Sequence, residues 1–248
     1  MARHRLISNR STATLEKPTD YSTLSLRDRM AQQMLPTGRQ RVRCLTCNRP
    51  KATCFCGFVK PFETSTRFVI LMHPKEYKFQ SLGTGRMTGT ALRNSEIIVG
   101  SEFSANQRVL SLLADTSFYP VLLYPKADAV NLSGNDEFIV PEGKTLLVFV
   151  IDGTWATAKK IILLSANLRA LPKIRFIPPA PSRFHIKRQP AAQCVSTIEA
   201  VHYLLELLQT RGFENLKDGH KTLLEGIDSL IEFQKKFVEI HPKKPLRS

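Results

Sequence analysis

The sequence predicts an α/β protein with a mostly parallel sheet flanked by helices, and three observations support this. The segment Leu146–Ile151 is apolar on both faces, as a central parallel strand covered by helices on each side should be. Strand-like runs alternate with helix-like runs along most of the chain. The chain has 248 residues, 42% of them apolar, which suffices to bury a full core.

The elements can be placed in order along the chain. Short apolar runs predict strands over Arg67–Met72, Ile97–Val99, Val121–Tyr124, Leu146–Ile151 and Ile174–Ile177. Apolar residues three and four apart predict helices over Asn106–Asp115, Ala156–Ala170, Ser196–Thr210 and Lys221–Glu239, and a short helix is expected over Leu24–Met34.

Four regions follow from composition. We expect a basic, flexible extension over 1–40, a metal-binding cysteine module over 41–62, the main domain over 63–234 and a basic tail over 235–248. No apolar segment follows the N-terminal arginines, which argues against a secretory signal and predicts a cytoplasmic protein. No apolar run reaches the roughly 18 residues that a membrane span needs, so no membrane partner is expected.

The charge favours a polyanionic partner. Lys and Arg number 36 against 21 Asp and Glu, a formal net charge of +15. Nucleic acid is the first interpretation, an anionic membrane surface the second, and an ordinary basic protein the third. No acidic residue lies between Asp152 and Glu199. Within this interval, Arg183–Arg188 combines arginine and lysine side chains, which can pair with phosphates, with Phe184 and His185, on which nucleobases can stack.

Four cysteines form a cluster in the N-terminal part: Cys44, Cys47, Cys54 and Cys56. Two closely spaced pairs let four thiolates converge on one tetrahedral ion, and Zn²⁺ in a structural knuckle is the leading interpretation. An iron–sulfur cluster and ordinary thiols are the alternatives. Cys194 stands alone, and we expect a small buried residue there rather than a nucleophile.

Asp152-Gly153-Thr154-Trp155 follows the central strand directly and precedes a helix. Ligands bind beyond the carboxyl ends of strands in open α/β sheets, so Asp152 can act there as a general base or orient a ligand amine. The alternative is that Asp152 or Thr154 only caps the helix, and that Trp155 is a core residue.

Three further segments carry candidate site residues. His73 and Glu76 follow the first strand, where the alternative is a polar loop with a turn at Pro74. Thr84, Gly85 and Arg86 are expected in a glycine-containing loop that can approach a ligand or phosphate. Ser196 and Glu199 have the spacing of a capping box, and the same helix N-terminus can also bind an anion.

These segments together resemble the DTW-domain family, which is named for its Asp-x-Thr-Trp signature. The resemblance rests on Asp152–Trp155 with the cysteines ahead of it, and on further segments in matching order over roughly 41–232. Those segments are His73-Pro74-x-Glu76, Thr84-Gly85-Arg86, Leu92-Arg93-Asn94-Ser95, Leu122-Leu123-Tyr124-Pro125, Arg183 to Pro190 and Ser196-Thr197-x-Glu199-Ala200.

The resemblance implies a tRNA-uridine aminocarboxypropyltransferase. Such an enzyme moves the 3-amino-3-carboxypropyl group of S-adenosylmethionine to uridine N3 and releases methylthioadenosine. The resemblance also implies kinship with SPOUT-like methyltransferase folds, whose C-terminal part is knotted. Alternatives are an RNA methyltransferase that uses the same cosubstrate, an aminocarboxypropyltransferase acting on ribosomal RNA, and a non-enzymatic zinc-knuckle protein that binds RNA.

Site roles follow from these residues together with the resemblance. The catalytic candidates are Asp152, Thr154 and Trp155. The cosubstrate is expected to contact His73, Glu76, Thr84, Gly85, Leu123, Tyr124, Asp152, Ser196, Thr197 and Glu199. The tRNA is expected to contact Arg86, Lys159, Lys160, Arg175, Arg183, His185, Lys187 and Arg188. The sequence leaves the oligomeric state open and favours a monomer.

Overall fold

The structure is a computed structural model, and it describes residues 42–47, 49–79, 83–184 and 194–240. The predicted extension over 1–40, the helix predicted over Leu24–Met34 and the end of the basic tail lie outside these ranges.

Six strands form one sheet in which every pairing is parallel. They are β1 (Arg67–Met72), β2 (Ser95–Val99), β3 (Phe118–Leu123), β4 (Val130–Asn131), β5 (Thr145–Asp152) and β6 (Lys173–Arg175). Their order is β2-β1-β5-β3-β6-β4. This confirms the predicted α/β class and its central strand. The sequence missed the two-residue β4, and β6 ends two residues before the predicted Ile177.

Seven α-helices accompany the sheet in the described ranges. They are α1 (Pro74–Phe79), α2 (Thr84–Ala91), α3 (Gln107–Ala114), α4 (Trp155–Leu164), α5 (Ala166–Ala170), α6 (Thr197–Thr210) and α7 (Lys221–Ile240). Two short 3₁₀ turns, Lys51–Thr53 and Cys56–Phe58, lie in the cysteine module. None of the helices in these ranges combines the length and apolarity needed to cross a bilayer.

Two predicted elements and one alternative interpretation, the polar loop at Pro74, were wrong. The helix predicted over Ala156–Ala170 is interrupted at Ser165, whose hydroxyl accepts a hydrogen bond from the Phe103 N–H at 3.0 Å. The segment around Pro74 is a helix and not a loop, because Pro occupies the first helical position, where its missing N–H costs nothing. The segment predicted as a glycine-containing loop is the helix α2. Its threonines and glycines have poor helix propensity, and the packing of Met87 into the core offsets this.

The core lies in two layers, one on each face of the sheet. Alternate side chains of β5 enter opposite layers: Val148 packs with α6 and α7, whereas Phe149 packs with α3, α4 and α5. The cysteine module joins the first layer through Phe55 and Val59. Helices therefore cover both faces of β5, as its continuous apolar sequence predicts.

Phe149→Ala tests the second core layer. Phe149 is fully buried, so its removal should leave a cavity and lower the free energy of unfolding by about 3–5 kcal/mol. Urea denaturation measures the loss, and Ile139→Ala, at a side chain that is 63% exposed, should stay within about 0.5 kcal/mol of the parent protein. Equal losses in the two variants would contradict this placement of the core.

Candidate active site and metal centre

A cavity of about 740 Å³ opens at the carboxyl ends of the central strands. Its wall includes the last residues of β3, β5 and β6, which are Leu123, Asp152 and Arg175. The volume falls within the range of about 300–1,000 Å³ that small-molecule sites occupy.

The topology places two helix N-termini at this cavity. After β5 the chain enters α4, which packs in the second core layer through Ile161, and after β6 it reaches α6, which packs in the first layer through Ile198. The two helices therefore lie on opposite faces of the sheet, and the cavity lies between their starts. Ligands of open α/β sheets bind at such a divergence.

Asp152 is the best-defined polar group in the cavity. It ends β5, is only 6% exposed and lines the wall. One of its carboxylate oxygens accepts a hydrogen bond from the Thr197 hydroxyl at 2.6 Å, which ties β5 to the start of α6. A buried carboxylate held in this way can accept a proton or orient a cation at a fixed position.

The helix-capping alternative applies to Thr154 and not to Asp152. The Thr154 hydroxyl accepts a hydrogen bond from the Thr157 N–H at 3.2 Å and caps α4, while Thr154 also lines the cavity. The core alternative for Trp155 is wrong, because this side chain is 40% exposed and lies on the cavity wall. An exposed indole there offers a stacking surface for a planar ligand.

Glu76 and His73 take different places at the end of β1. Glu76 lies in the first turn of α1, is buried and lines the cavity. The His73 ring does not line it; its Nδ1 accepts from the Lys75 N–H at 3.2 Å, and its backbone N–H donates to the Asp152 carbonyl at 3.1 Å. His73 thus stabilises the start of α1 next to the site.

Gly85 contributes space rather than a contact with the cavity. A Cβ atom at this position would lie within 2.7 Å of both carboxylate oxygens of Asp152. Only glycine lets α2 approach the end of β5 so closely. The preceding Thr84 does line the cavity, as do the predicted Leu123 and Tyr124.

The RNA-contact prediction for Arg86 is wrong in this structure. Arg86 is 7% exposed and lies over the ring of Tyr77, with 4.4 Å from its guanidinium carbon to the ring centre. It donates hydrogen bonds to the backbone carbonyls of Cys47, at 3.2 Å, and of Tyr77. The guanidinium thus joins the cysteine module to α1 and is withdrawn from any phosphate.

At the start of α6 the capping-box interpretation applies to Glu199. This carboxylate is fully buried and accepts hydrogen bonds from Ser182, Arg183 and Ser196 at 2.6–2.8 Å. The cosubstrate prediction for Glu199 is therefore not supported, since its oxygens are used within the fold and it does not line the cavity. Ser196 and Thr197 do line it.

Sequence reasoning missed the apolar part of the wall. Phe176, Pro178, Phe184, Val195 and Ala200 line the cavity beside the predicted polar residues. Phe176 follows β6 directly and Pro178 lies two residues further on. The rule that ligands bind beyond strand ends could therefore have identified both residues.

The predicted RNA-contacting residues are distributed unevenly around the cavity. Arg175 lines it, Lys159 and Lys160 are exposed on α4, and Arg183 is exposed and paired with Asp228 at 3.0 Å. The remaining three, His185, Lys187 and Arg188, lie outside the described residues.

The four predicted metal ligands converge. The Sγ atoms of Cys44, Cys47, Cys54 and Cys56 all lie within 4.8 Å of one another. The Cys44–Cys56 and Cys47–Cys54 pairs are separated by 3.8 and 3.6 Å. A tetrahedral ion with metal–sulfur bonds of about 2.3 Å requires sulfur–sulfur distances of about 3.8 Å, so the cluster fits such an ion.

The electrostatics of the cluster also favour a cation. The hydrogen bond between Cys47 and Cys56 lowers the pKa of Cys47 to about 4 and raises the pKa of Cys56. Crowded thiols cannot all ionise unless a cation offsets their charge. Burial lowers the pKa of the Arg49 guanidinium, and the neighbouring Cys47 opposes that shift.

Comparison with known proteins identifies the family. The DTW domain profile matches residues 41–235. A tRNA-uridine aminocarboxypropyltransferase 2 of Drosophila melanogaster is 31% identical over 79% of this chain and 76% of its own length, and the one of Macaca fascicularis is 27% identical over 84% and 68%. A tRNA-uridine aminocarboxypropyltransferase A of Arabidopsis thaliana is 25% identical over 83% and 85%.

No solved structure shows significant similarity to this chain. The domain match covers most of the sequence, and the chain belongs to the DTW-domain family. The knot and the wider SPOUT-like kinship stay predictions.

Gly85→Ala tests the close approach of α2 to Asp152. Within a helix this substitution ordinarily stabilises by about 0.5–1 kcal/mol. Here the added methyl should displace the Asp152 carboxylate from Thr197, so the free energy of unfolding should fall instead. Urea denaturation and a crystal structure of the variant measure both effects. A more stable variant with Asp152 still bonded to Thr197 would contradict the expected clash.

Proposed function

We propose that the chain transfers the 3-amino-3-carboxypropyl group of S-adenosylmethionine to N3 of a uridine in tRNA. The observation that carries the proposal is Asp152, a buried signature carboxylate held by Thr197 in the cavity wall. Membership of the DTW-domain family and the names of several relatives support it.

The chemistry of the cavity suits this cosubstrate. S-adenosylmethionine carries an ammonium, a sulfonium and a carboxylate besides its adenosine. The Glu76 carboxylate suits a cationic group of the cosubstrate, and the N-terminus of α6 suits its carboxylate. Trp155 and Phe176 supply aromatic surface on the same wall, where adenine can stack.

Geometry must select which carbon of the sulfonium reacts. Uridine N3 loses its proton and bonds to the γ-carbon of the amino-acid arm, the bond from that carbon to sulfur breaks, and methylthioadenosine leaves. This carbon must lie in line with N3 at about 3–3.5 Å, while the methyl is shielded. We assign Asp152 the role of general base toward the N3 proton.

The tRNA is proposed to approach across α4. The exposed Lys159 and Lys160 lie on the helix whose first residue, Trp155, borders the cavity, and Arg175 lies in the wall itself. Phosphates paired with these side chains would place a uridine over the opening. Such binding should weaken as salt concentration rises.

We propose Zn²⁺ as the ion of the four-cysteine cluster. Zinc favours closed tetrahedral thiolate sites, and its role here is structural. Cys44, Cys47, Cys54 and Cys56 would hold it, and no step of the transfer passes through it. The module packs against α7, where the Lys60 N–H donates to the Thr222 hydroxyl at 2.7 Å.

Asp152→Asn tests the catalytic assignment. The amide keeps the shape and can still accept from Thr197, but it cannot take up the N3 proton. We expect the transfer rate to fall by about 10²–10⁴-fold with the affinity for S-adenosylmethionine nearly unchanged. Mass spectrometry of nucleosides digested from unmodified tRNA transcripts measures the product, and calorimetry measures the affinity.

The matched control is Asp115→Asn, an exposed aspartate that should keep full activity. Loss of cosubstrate affinity in Asp152→Asn would overturn the base assignment in favour of an orienting role. A methyl gain on RNA, with S-adenosylhomocysteine as by-product, would overturn the proposed reaction. Absence of any gain on tRNA by the parent protein would overturn the proposed substrate.

Cys47→Ser tests the metal centre. The variant should lose one equivalent of zinc per chain and unfold at a lower temperature, because metal-binding energy contributes to folding. Elemental analysis and thermal unfolding measure these changes, and Cys194→Ser should keep both values. An unchanged zinc content in Cys47→Ser would contradict the assignment.

A further inference from the structure

A second group of metal-ligating side chains lies outside the cavity wall and plays no part in the proposed transfer. It consists of His202 and Glu206, one turn apart on α6, and His220, which immediately precedes α7. Both histidines are 3% exposed, whereas the Glu206 side chain is 47% exposed. One ligand atom from each lies within 4.8 Å of the others.

The hydrogen bonding of His202 fixes the direction of its ring lone pair. Its Nδ1 lies 3.1 Å from the backbone carbonyl of His220. A carbonyl only accepts hydrogen bonds, so Nδ1 must carry the proton, and in the neutral ring Nε2 carries the lone pair. A metal-bound histidine is commonly held in this way, with its other nitrogen donating to a carbonyl.

Glu206 faces both imidazoles with the same oxygen. Its Oε1 lies 3.3 Å from Nε2 of His202 and 3.6 Å from Nε2 of His220. A lone pair on Nε2 that points at a carboxylate is repelled unless a proton or a cation lies between them. Both Nε2 atoms therefore approach the same carboxylate oxygen, and the two rings are stacked with centroids 5.1 Å apart.

We propose that His202, Glu206 and His220 form a second metal site, which binds Zn²⁺ or a divalent ion of similar ligand preference. Zinc bonds to nitrogen and oxygen at about 2.0–2.2 Å, so tetrahedral ligand atoms should lie about 3.3–3.6 Å apart, as the two measured distances do. Two imidazoles and a carboxylate supply three ligands, and the exposed Glu206 leaves a fourth position for water.

The site would join α6 to the segment that leads into α7. That segment contains Lys217 and Asp218, both with positive φ, of 43° and 64°. An ion held by His202 and Glu206 from α6 and by His220 from the segment would restrain it. The neighbouring Tyr203 ring also contacts Phe176 of the cavity wall, with centroids 6.2 Å apart.

Metal counting on the full-length chain tests this proposal. Equilibrium dialysis against Zn²⁺ at a fixed free concentration, followed by elemental analysis, should find two equivalents in the parent protein and one in Glu206→Gln. The glutamine keeps the size of the exposed side chain but loses the anionic ligand. Its affinity for the second ion should fall by at least the roughly 10–100-fold that losing a supporting partner costs.

The matched control is Glu225→Gln, at an exposed glutamate of α7, which should keep two equivalents. His220→Gln is a second variant that removes a buried ligand. Co²⁺ as a probe separates the two sites, because only the cysteine cluster gives thiolate-to-cobalt charge-transfer absorption. The second equivalent should add ligand-field bands without that absorption.

Two results would overturn the proposal. In one, the parent protein binds a single equivalent of zinc, and the three side chains then form an ion pair between Glu206 and a protonated histidine. In the other, Glu206→Gln and His220→Gln both still bind two equivalents, which places the second ion elsewhere. A rise in melting temperature on adding Zn²⁺ that both variants lose would support the site independently of any transferase activity.

Discussion

The burial of β5 on both faces is the constraint on which the rest of the structure depends. A strand whose two faces are both apolar must be covered by helices on both faces of the sheet. The connections between the parallel strands must therefore place helices on each face. The helix that follows β5, α4, therefore packs on one face, and the helix that follows β6, α6, packs on the other. Their divergence opens the cavity, and Asp152 lies at its edge because it is the last residue of the central strand.

The short helix α2 links this cavity to the cysteine module through two consecutive residues. Gly85 leaves room for the Asp152 carboxylate, and Arg86 reaches the backbone of Cys47. The arginine is buried, so its position depends on the carbonyls that receive its hydrogen bonds. The cysteine module, for which we propose a structural role, is in this way joined to the position of the proposed base.

The sheet and the long helices could be predicted from the sequence because the spacing of their apolar residues follows the faces that are buried. The sequence analysis missed α1, which has only six residues and so shows no clear apolar period. It also missed α2, whose three threonines and two glycines have poor helix propensity, so that tertiary contacts decide its conformation. It placed Asp152 at the cavity by the strand-end rule, whereas Trp155 was assigned to the site by the family resemblance. The sequence analysis assigned Arg86 and Glu199 to ligand contacts. A sequence motif does not reveal whether a charged side chain binds a ligand or groups within the fold, and here the burial of both side chains distinguishes the two cases.

The order of the strands has a consequence for synthesis of the chain. Arg67 of β1 pairs with Leu147 of β5, 80 positions further along, and β5 then separates β1 from β3. At translation rates of about 5–20 residues per second, β1 leaves the ribosome roughly 4–16 s before its central partner. During that interval its apolar edge has no native neighbour on that side. A nascent chain of this protein therefore exposes an unpaired strand edge until the middle of the sheet has been synthesised.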